Sequence, residues 1–278
     1  MEKIEEFEEL YRKYTGDSFD FLSKNDISVI DAPALMLIYD NCNYNKEKAI
    51  QDFIEFVNQK ERGDILNTPL YNFYSFWEKV CFDPNYRDFA RLGAEIYVDN
   101  YQEKPEMAKY KWPDLPLCQK ENTAFVDLVS GFGFSDYLKE LNPKTQYFLV
   151  DKSMLTCEAL RYQIEKLGLD NVRVIQKDVK SDISSDIGME VEIIRAKNIF
   201  CYVPDIVETI PLYQKMICDE GQFVFQEHSV YRSIFNESYR GLDVYFKEGW
   251  KKTMKIQMEN VNIKSFDSIC YKKGVANA

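Results

Sequence analysis

The chain has 278 residues, 45% of them hydrophobic, enough for the core of one large domain or two modest ones. Its 35 basic and 46 acidic side chains leave a net charge of −11, which disfavours sequence-independent capture of a nucleic-acid backbone and leaves room only for a local basic groove. No window approaches the roughly 18 apolar residues of a membrane span, and the amino terminus, MEKIEEFEELYRKY, has no apolar signal core. A soluble, cytoplasmic protein is therefore expected. The seven cysteines are widely spread and never in C-x-x-C spacing, so they read as reduced, mostly buried small hydrophobes rather than a disulfide or zinc framework.

Residues 1 to about 100 carry helical periodicity. EKIEEFEELYRKY places Ile4, Phe7, Leu10 and Tyr11 on one stripe, and NKEKAIQDFIEFVNQKERG repeats it with Ala49, Phe53, Ile54 and Val57 before Gly63. PLYNFYSFWEKVCF, residues 69–82, reads as a core stripe of the same bundle, with an acceptor-pocket lid as the other reading. DPNYRDFARLGAEIYVDNY opens on an Asp and a Pro suited to a helix start, followed by Phe89, Leu92 and Ile96 at helical spacing. A connector with Pro105, Pro113 and Pro116 follows, and the boundary is placed at 118, giving a helical domain over 1–118 and a second domain over 119–278.

Beyond the boundary strands and helices alternate. TAFVDLV, QYFLVD, VRVIQKD, VEIIRA and GQFVFQE read as strands; SDYLKELN, SMLTCEALRYQIEKLG and PDIVETIPLYQKM read as helices. That alternation predicts an α/β fold with a Rossmann-like, largely parallel sheet. MKIQMENVNI and KSFDSICYKK add two strands with no helix between them, so one of the two is expected to be antiparallel. KEGWKKTMK, residues 247–255, is a basic patch read as a solvated helix end, with phosphate contact as the alternative.

AFVDLVSGFGFSDYL carries Gly131 and Gly133 between the first strand and its helix, where a nucleotide-like ligand commonly meets the backbone; a tight bend with no ligand explains them equally well. Two acids add weight to the ligand. Asp151 closes the second strand 20 residues after Gly131, suited to ribose hydroxyls, and Asp178 with Val179 ends the third. With Asp127, three carboxylates then gather at one rim, a charge pattern that suits a cationic, phosphate-free adenosine better than a dinucleotide.

On these residues, the stretch from about 122 to 278 resembles the class I S-adenosylmethionine-dependent methyltransferases, whose seven-stranded sheet it would share. The resemblance implies S-adenosyl-L-methionine as cofactor. It puts the methionine part at Asp127, Val129, Ser130, Gly131 and Gly133, the ribose at Asp151 and Lys152, and the adenine amine at Asp178 and the Val179 backbone. EIIRAKNIFCYVPD is similar to the segment flanking the transferable methyl, with Ala196, Lys197, Asn198 and Tyr202 as its candidates. Where the family has a further glycine two residues before Gly131, this chain has Val129, a departure that favours the alternative of a catalytically inactive cofactor-binding protein. Methyl transfer needs alignment more than acid–base groups, so few catalytic residues are implied. The single histidine, His228, is the first candidate base together with Glu227, and Tyr202 the second. A small-molecule or protein side-chain acceptor is expected under a helical cap. Nucleic acid is disfavoured, since NIFCY keeps only an Asn and a Tyr of an N-P-P-Y-like segment.

Overall fold

A computed structural model describes residues 2–15, 79–101, 115–197, 199, 206–228, 242–243, 245–246, 249–258 and 265–274. The chain divides into two units, one of Met1–Lys109 with Ser153–Lys166 and one of Tyr110–Lys152 with Leu167–Ala278. The helical reading of 45–63 and most of the aromatic stretch 69–82 lie outside the described residues.

In the first unit every described element is helical. Helix α1 (Glu2–Thr15) has acids in its first turn and Arg12 and Lys13 in its last, matching the helix dipole. Phe7 and Tyr11, four residues apart, share its buried face, and the Phe7 ring stacks on Phe89 of α2 (Arg87–Tyr101) at 4.5 Å between centroids. The predicted start at Asp83 is a cap, but for a single 3₁₀ turn: the Asp83 side chain accepts from Asn85 N at 3.0 Å, Pro84–Tyr86 follows, and the α-helix proper begins at Arg87. Helix α3 (Met154–Leu167), the crossover between the second and third strands, groups with α1 and α2. Asp99 of α2 accepts from Tyr162 at 3.0 Å and from Lys166 at 2.9 Å, and Lys3 of α1 reaches Asp99, Glu95 and the Tyr162 hydroxyl.

The second unit is built on a seven-stranded sheet. Its strands are β1 (Ala124–Leu128), β2 (Gln146–Asp151), β3 (Val172–Gln176), β4 (Val191–Lys197), β5 (Ile217–His228), β6 (Trp250–Met258) and β7 (Ser265–Lys273), in the order β3-β2-β1-β4-β5-β7-β6. The first five pair in parallel, and β7 runs antiparallel to both of its neighbours. This is the seven-stranded α/β sheet expected, with one reversed strand in the tail. Ala124, Val126 and Leu128 of β1 point into one core with Phe148, Val150, Ile194, Phe223, Phe225, Ile269 and Tyr271, covered by α4 (Ser184–Ile187), a 3₁₀ turn at Ile206–Thr209 and α5 (Ile210–Gln214). The alternate residues Phe125 and Asp127 face the other side, under the stretch Phe132–Glu140.

Several elements differ from the sequence reading for local reasons. Phe132–Glu140 is 3₁₀ rather than α-helical, far longer than the three or four residues usual for that geometry. The expected helix over 204–216 is, in its described part, a 3₁₀ turn and a separate short helix, because Pro211 has no N–H to continue a helix and fits only a first turn. The basic patch near 250 is edge strand, not helix end: Gly249 turns at φ 81° and Lys251, Lys252 and Lys255 pair along β7. Lysines on an edge strand discourage further strand addition. In β5 the register against β4 jumps between Ile217 and Gln222, and Glu220 adopts φ 62°. Gly221 is obligatory there, since a Cβ would lie 2.7 Å from Ile217 Cγ2 and 2.8 Å from the Glu192 carbonyl.

At the amino edge of the sheet, buried Glu192 accepts from Gln119 N and Lys120 N, both at 2.8 Å, and from Thr123 Oγ1 at 2.9 Å. One carboxylate thereby fixes how the chain enters β1. Nearby, burial pushes the Cys118 thiol up to about 12. Cys81, Cys118, Cys157, Cys218 and Cys270 are free thiols. No helix among the described residues is long and apolar enough to cross a membrane.

Candidate functional site

The strand order reverses its direction of growth between β1 and β4, so the crevice at their carboxyl ends is the switch point where open α/β sheets bind ligands. The turn that leaves β1 begins here. Ser130 N donates to Val150 O at 3.1 Å, Ser130 Oγ to Asp127 O at 2.9 Å, and Gly131 N to Asp151 Oδ2 at 3.0 Å. The glycine turn and the acid of β2, twenty residues apart, are thus joined by a hydrogen bond.

Gly131 sits at φ 56°, ψ 179°, a region open essentially to glycine alone. Its need for glycine is met by the turn itself, so the tight-bend reading accounts for this residue without a ligand. Val129 is the anomaly, at φ 52° although β-branched. Its side chain packs against the β-sheet core, which offsets part of that cost.

Asp151 is 8% exposed rather than a loose rim group, and its Oδ2 is committed to the turn. Lys152 follows it at the carboxyl edge. Strand β3 ends at Gln176, two residues short of Asp178, which lies in the following turn: its Oδ1 accepts from Lys180 N at 2.9 Å and its carbonyl from Ser181 N. Val179 buries its side chain in the core while its carbonyl accepts from Tyr213 Oη. Burial, with Asp178 and Asp182 nearby, drives the Tyr213 phenol upward, so it remains a donor. Ala196 is buried in the same core, and Lys197 is the last residue of β4.

Asp127 lies within the sheet, not at its rim. It is 1% exposed and paired in register with Arg195 of β4, whose Nε stands 3.2 Å from Asp127 Oδ1. Burial raises the Asp127 pKa, and Arg195 and Lys197 oppose that rise. The guanidinium is itself 1% exposed and lies over the Tyr137 and Phe134 rings, 4.9 and 5.7 Å from their centroids. Both Asp127 oxygens and Arg195 Nε and Nη1 lack a hydrogen bond of good geometry.

Sequence reasoning passes over Arg195, which stands in VEIIRA as an ordinary strand residue. A cation and an acid each interrupting an apolar strand are the signal that could have found the pair. Glu227 and His228 are the last two residues of β5, opposite Asp267 and Phe266 of β7. Gly133 lies inside the 3₁₀ stretch. Asn198 and Tyr202 lie outside the described residues.

No protein-family model matches the sequence, and no curated protein matches it either. Solved structures do align with the chain. An rRNA methylase from Streptococcus thermophilus aligns at 14% identity over 56% of this chain and 89% of that one, with a TM-score of 0.42. Precorrin-6y C5,15-methyltransferase from Geobacter metallireducens gives 12% identity, 55% and 82% coverage and a TM-score of 0.42. The N-methyltransferase NodS from Bradyrhizobium japonicum, in complex with S-adenosyl-l-homocysteine, gives 11%, 55% and 79%, and 0.40. Likeness at this level leaves cofactor and acceptor to be argued from the chain's own residues.

Proposed function

We propose that the protein is an S-adenosylmethionine-dependent methyltransferase acting on a small molecule or a protein side chain. The observation that carries this reading is the link between Gly131 N and Asp151 Oδ2 at the switch point of the sheet. It brings the glycine turn of β1 and the acid closing β2 to one place, where a nucleoside can lie across the strand ends. The partner-poor Asp127 and Arg195 side chains fit the group as well, since they offer both charges to a ligand that carries both.

In this reading Asp151 takes the ribose hydroxyls beside Lys152, the turn Val129–Ser130–Gly131 with Gly133 backs the methionine chain, and the Asp178–Val179 turn meets the adenine. Bound there, the cofactor supplies a methyl already activated by a sulfonium. The protein then has to align the acceptor and exclude water. Ala196 and Lys197 close β4 at this edge, and His228 with Glu227 close β5, where His228 can draw a proton from an acceptor that must lose one. Tyr202 is the second candidate for that task. Net charge −11 supports an acceptor other than a nucleic-acid backbone.

Cofactor binding without turnover is a second reading, favoured by the left-handed Val129 where the resembling family has glycine. Calorimetric titration with S-adenosylmethionine, S-adenosylhomocysteine and NAD tests the cofactor binding that both readings share. Binding of the first two and not of NAD is expected, and no binding of either would sink the assignment. Asp151→Asn keeps an oxygen for Gly131 N but weakens ribose recognition, so it should lower affinity about tenfold or more with the melting temperature nearly unchanged.

A further inference from the structure

Charge is unevenly spread along this chain. Residues 247–274, which include β6 and β7, hold seven lysines against three acids, a local +4 in a protein whose total is −11. At physiological salt a charge is felt over about 8 Å, so a group that approaches this strand pair meets a cation whatever the rest of the molecule carries.

The lysines of the two strands divide into neutralised and free. Lys252 is in register with Tyr271, a core residue, and its Nζ lies 2.7 Å from Asp243 Oδ1. Lys273 donates to the Ile217 carbonyl at 2.7 Å and stands 3.7 Å from Asp219. Lys251 and Lys272 belong to the opposite face, because side chains alternate along a strand. They stand directly across from each other in register, both are exposed, and neither meets an acid among the described residues. Like charges placed so weaken a sheet, and a carboxylate beside them turns the repulsion into attraction.

The backbone beside them is open as well. Strand β6 ends the sheet order, so one row of its N–H and C=O groups has no neighbouring strand among the described residues. Such an edge can take an added strand, and the lysines decide which. A second copy of β6 would set lysine against lysine. An acidic strand instead places a carboxylate next to Lys251, with its same-face neighbours about 6.8 Å further along. Nucleic acid fits this edge less well, since phosphates offer acceptors but no row of donors for the free carbonyls of β6.

We propose that the free edge of β6 docks an acidic, extended segment of a partner protein, its backbone pairing with β6 and its carboxylates meeting Lys251 and Lys272. This goes beyond the methyltransferase reading and does not depend on it. The same lysines then exclude self-pairing and select an acidic strand.

Fluorescence anisotropy of the intact chain with labelled probes tests this. The probes are a nine-residue peptide of alternating threonine and glutamate, matching β6 in length, its lysine-for-glutamate counterpart, the glutamate peptide N-methylated throughout, and a single-stranded RNA of the same length. The proteins are wild type, the double variant Lys251→Glu, Lys272→Glu, and a control, Lys144→Glu, Lys215→Glu, which makes the same change of charge at exposed positions outside β6 and β7. All four positions are exposed, so the melting temperatures should stay near that of wild type. Wild type and control should bind the glutamate peptide about tenfold or more tighter than the lysine peptide, and the Lys251, Lys272 variant should reverse that order. N-methylation should weaken the glutamate peptide about tenfold or more, because it removes the donors of the added strand. No preference in wild type overturns the proposal, as does a preference that survives in the Lys251, Lys272 variant or is lost equally in the control. Undiminished binding of the N-methylated peptide overturns strand addition, and RNA bound more tightly than the glutamate peptide overturns the acidic protein partner in favour of a nucleic-acid surface.

Discussion

Val129 shows how one residue can be held against its own preference. A left-handed backbone costs a non-glycine residue about 1–2 kcal/mol, and a β-branched one is the least suited to it. Val129 nevertheless holds φ 52°, because Ser130 N and Gly131 N are tied to β2 on one side and the valine side chain packs on the core on the other. The magnitudes make a prediction. Val129→Ala loses packing and keeps the strain, whereas Val129→Gly loses slightly more packing but releases the strain, offset by about 0.5–1 kcal/mol of extra chain entropy. The glycine variant should therefore be at least as stable as the alanine variant in denaturant titrations, the reverse of the usual order. Alanine ahead by about 1 kcal/mol would refute the left-handed assignment.

At the scale of elements, packing periodicity is what the sequence exposes and hydrogen-bond geometry is what it hides. The strands of TAFVDLV, QYFLVD and KSFDSICYKK and the helix after Ser153 are legible because burial on one or both faces imposes apolar patterns of period 2 or 3.6. The 3₁₀ form of Phe132–Glu140 is not, since α and 3₁₀ backbones share nearly the same residue preferences. Asp127 and Asp151 are legible as residues of a strand end but not in their state, because Arg195 and Gly131 reach them only once the sheet is assembled. Nor does periodicity reveal that α3 joins α1 and α2 through Asp99. Burial works to raise the Asp99 pKa, but hydrogen bonds from Lys166, Tyr162 and Lys3 outweigh it and hold the carboxyl below its ordinary range. A carboxyl depressed in the folded state contributes stability above its unfolded pKa, near 4, and the contribution vanishes as pH falls through the folded value. Asp99→Asn should thus lower stability near neutrality by about 1 kcal/mol or less, given its exposure. The gap to wild type should narrow as the pH of the melts is taken down below the ordinary carboxylate range, and a gap independent of pH would mean that the carboxylate charge plays no part.

For the whole molecule, the two units are not consecutive along the chain. Cutting at the proline-bearing connector separates Met1–Lys109 from the sheet, but the helical unit also claims Ser153–Lys166 from between β2 and β3. A fragment of residues 110–278 would therefore keep α3 but lose α1 and α2, and with them Lys3 and Asp99, the partners of Tyr162 and Lys166. The linker alone would suggest a free-standing carboxyl-terminal domain. The side chains of α3 argue otherwise, because the crossover from β2 to β3 would be left with its polar partners removed, and a parallel pair depends on its crossover being in place. The fragment should melt at least several degrees below the intact chain and with lower cooperativity, since a loss of a few kcal/mol is a large share of a domain's stability. Calorimetry of both proteins side by side decides the matter: a lowered, broadened transition in the fragment means that α3 needs α1 and α2, while an unchanged carboxyl-terminal transition means that it does not.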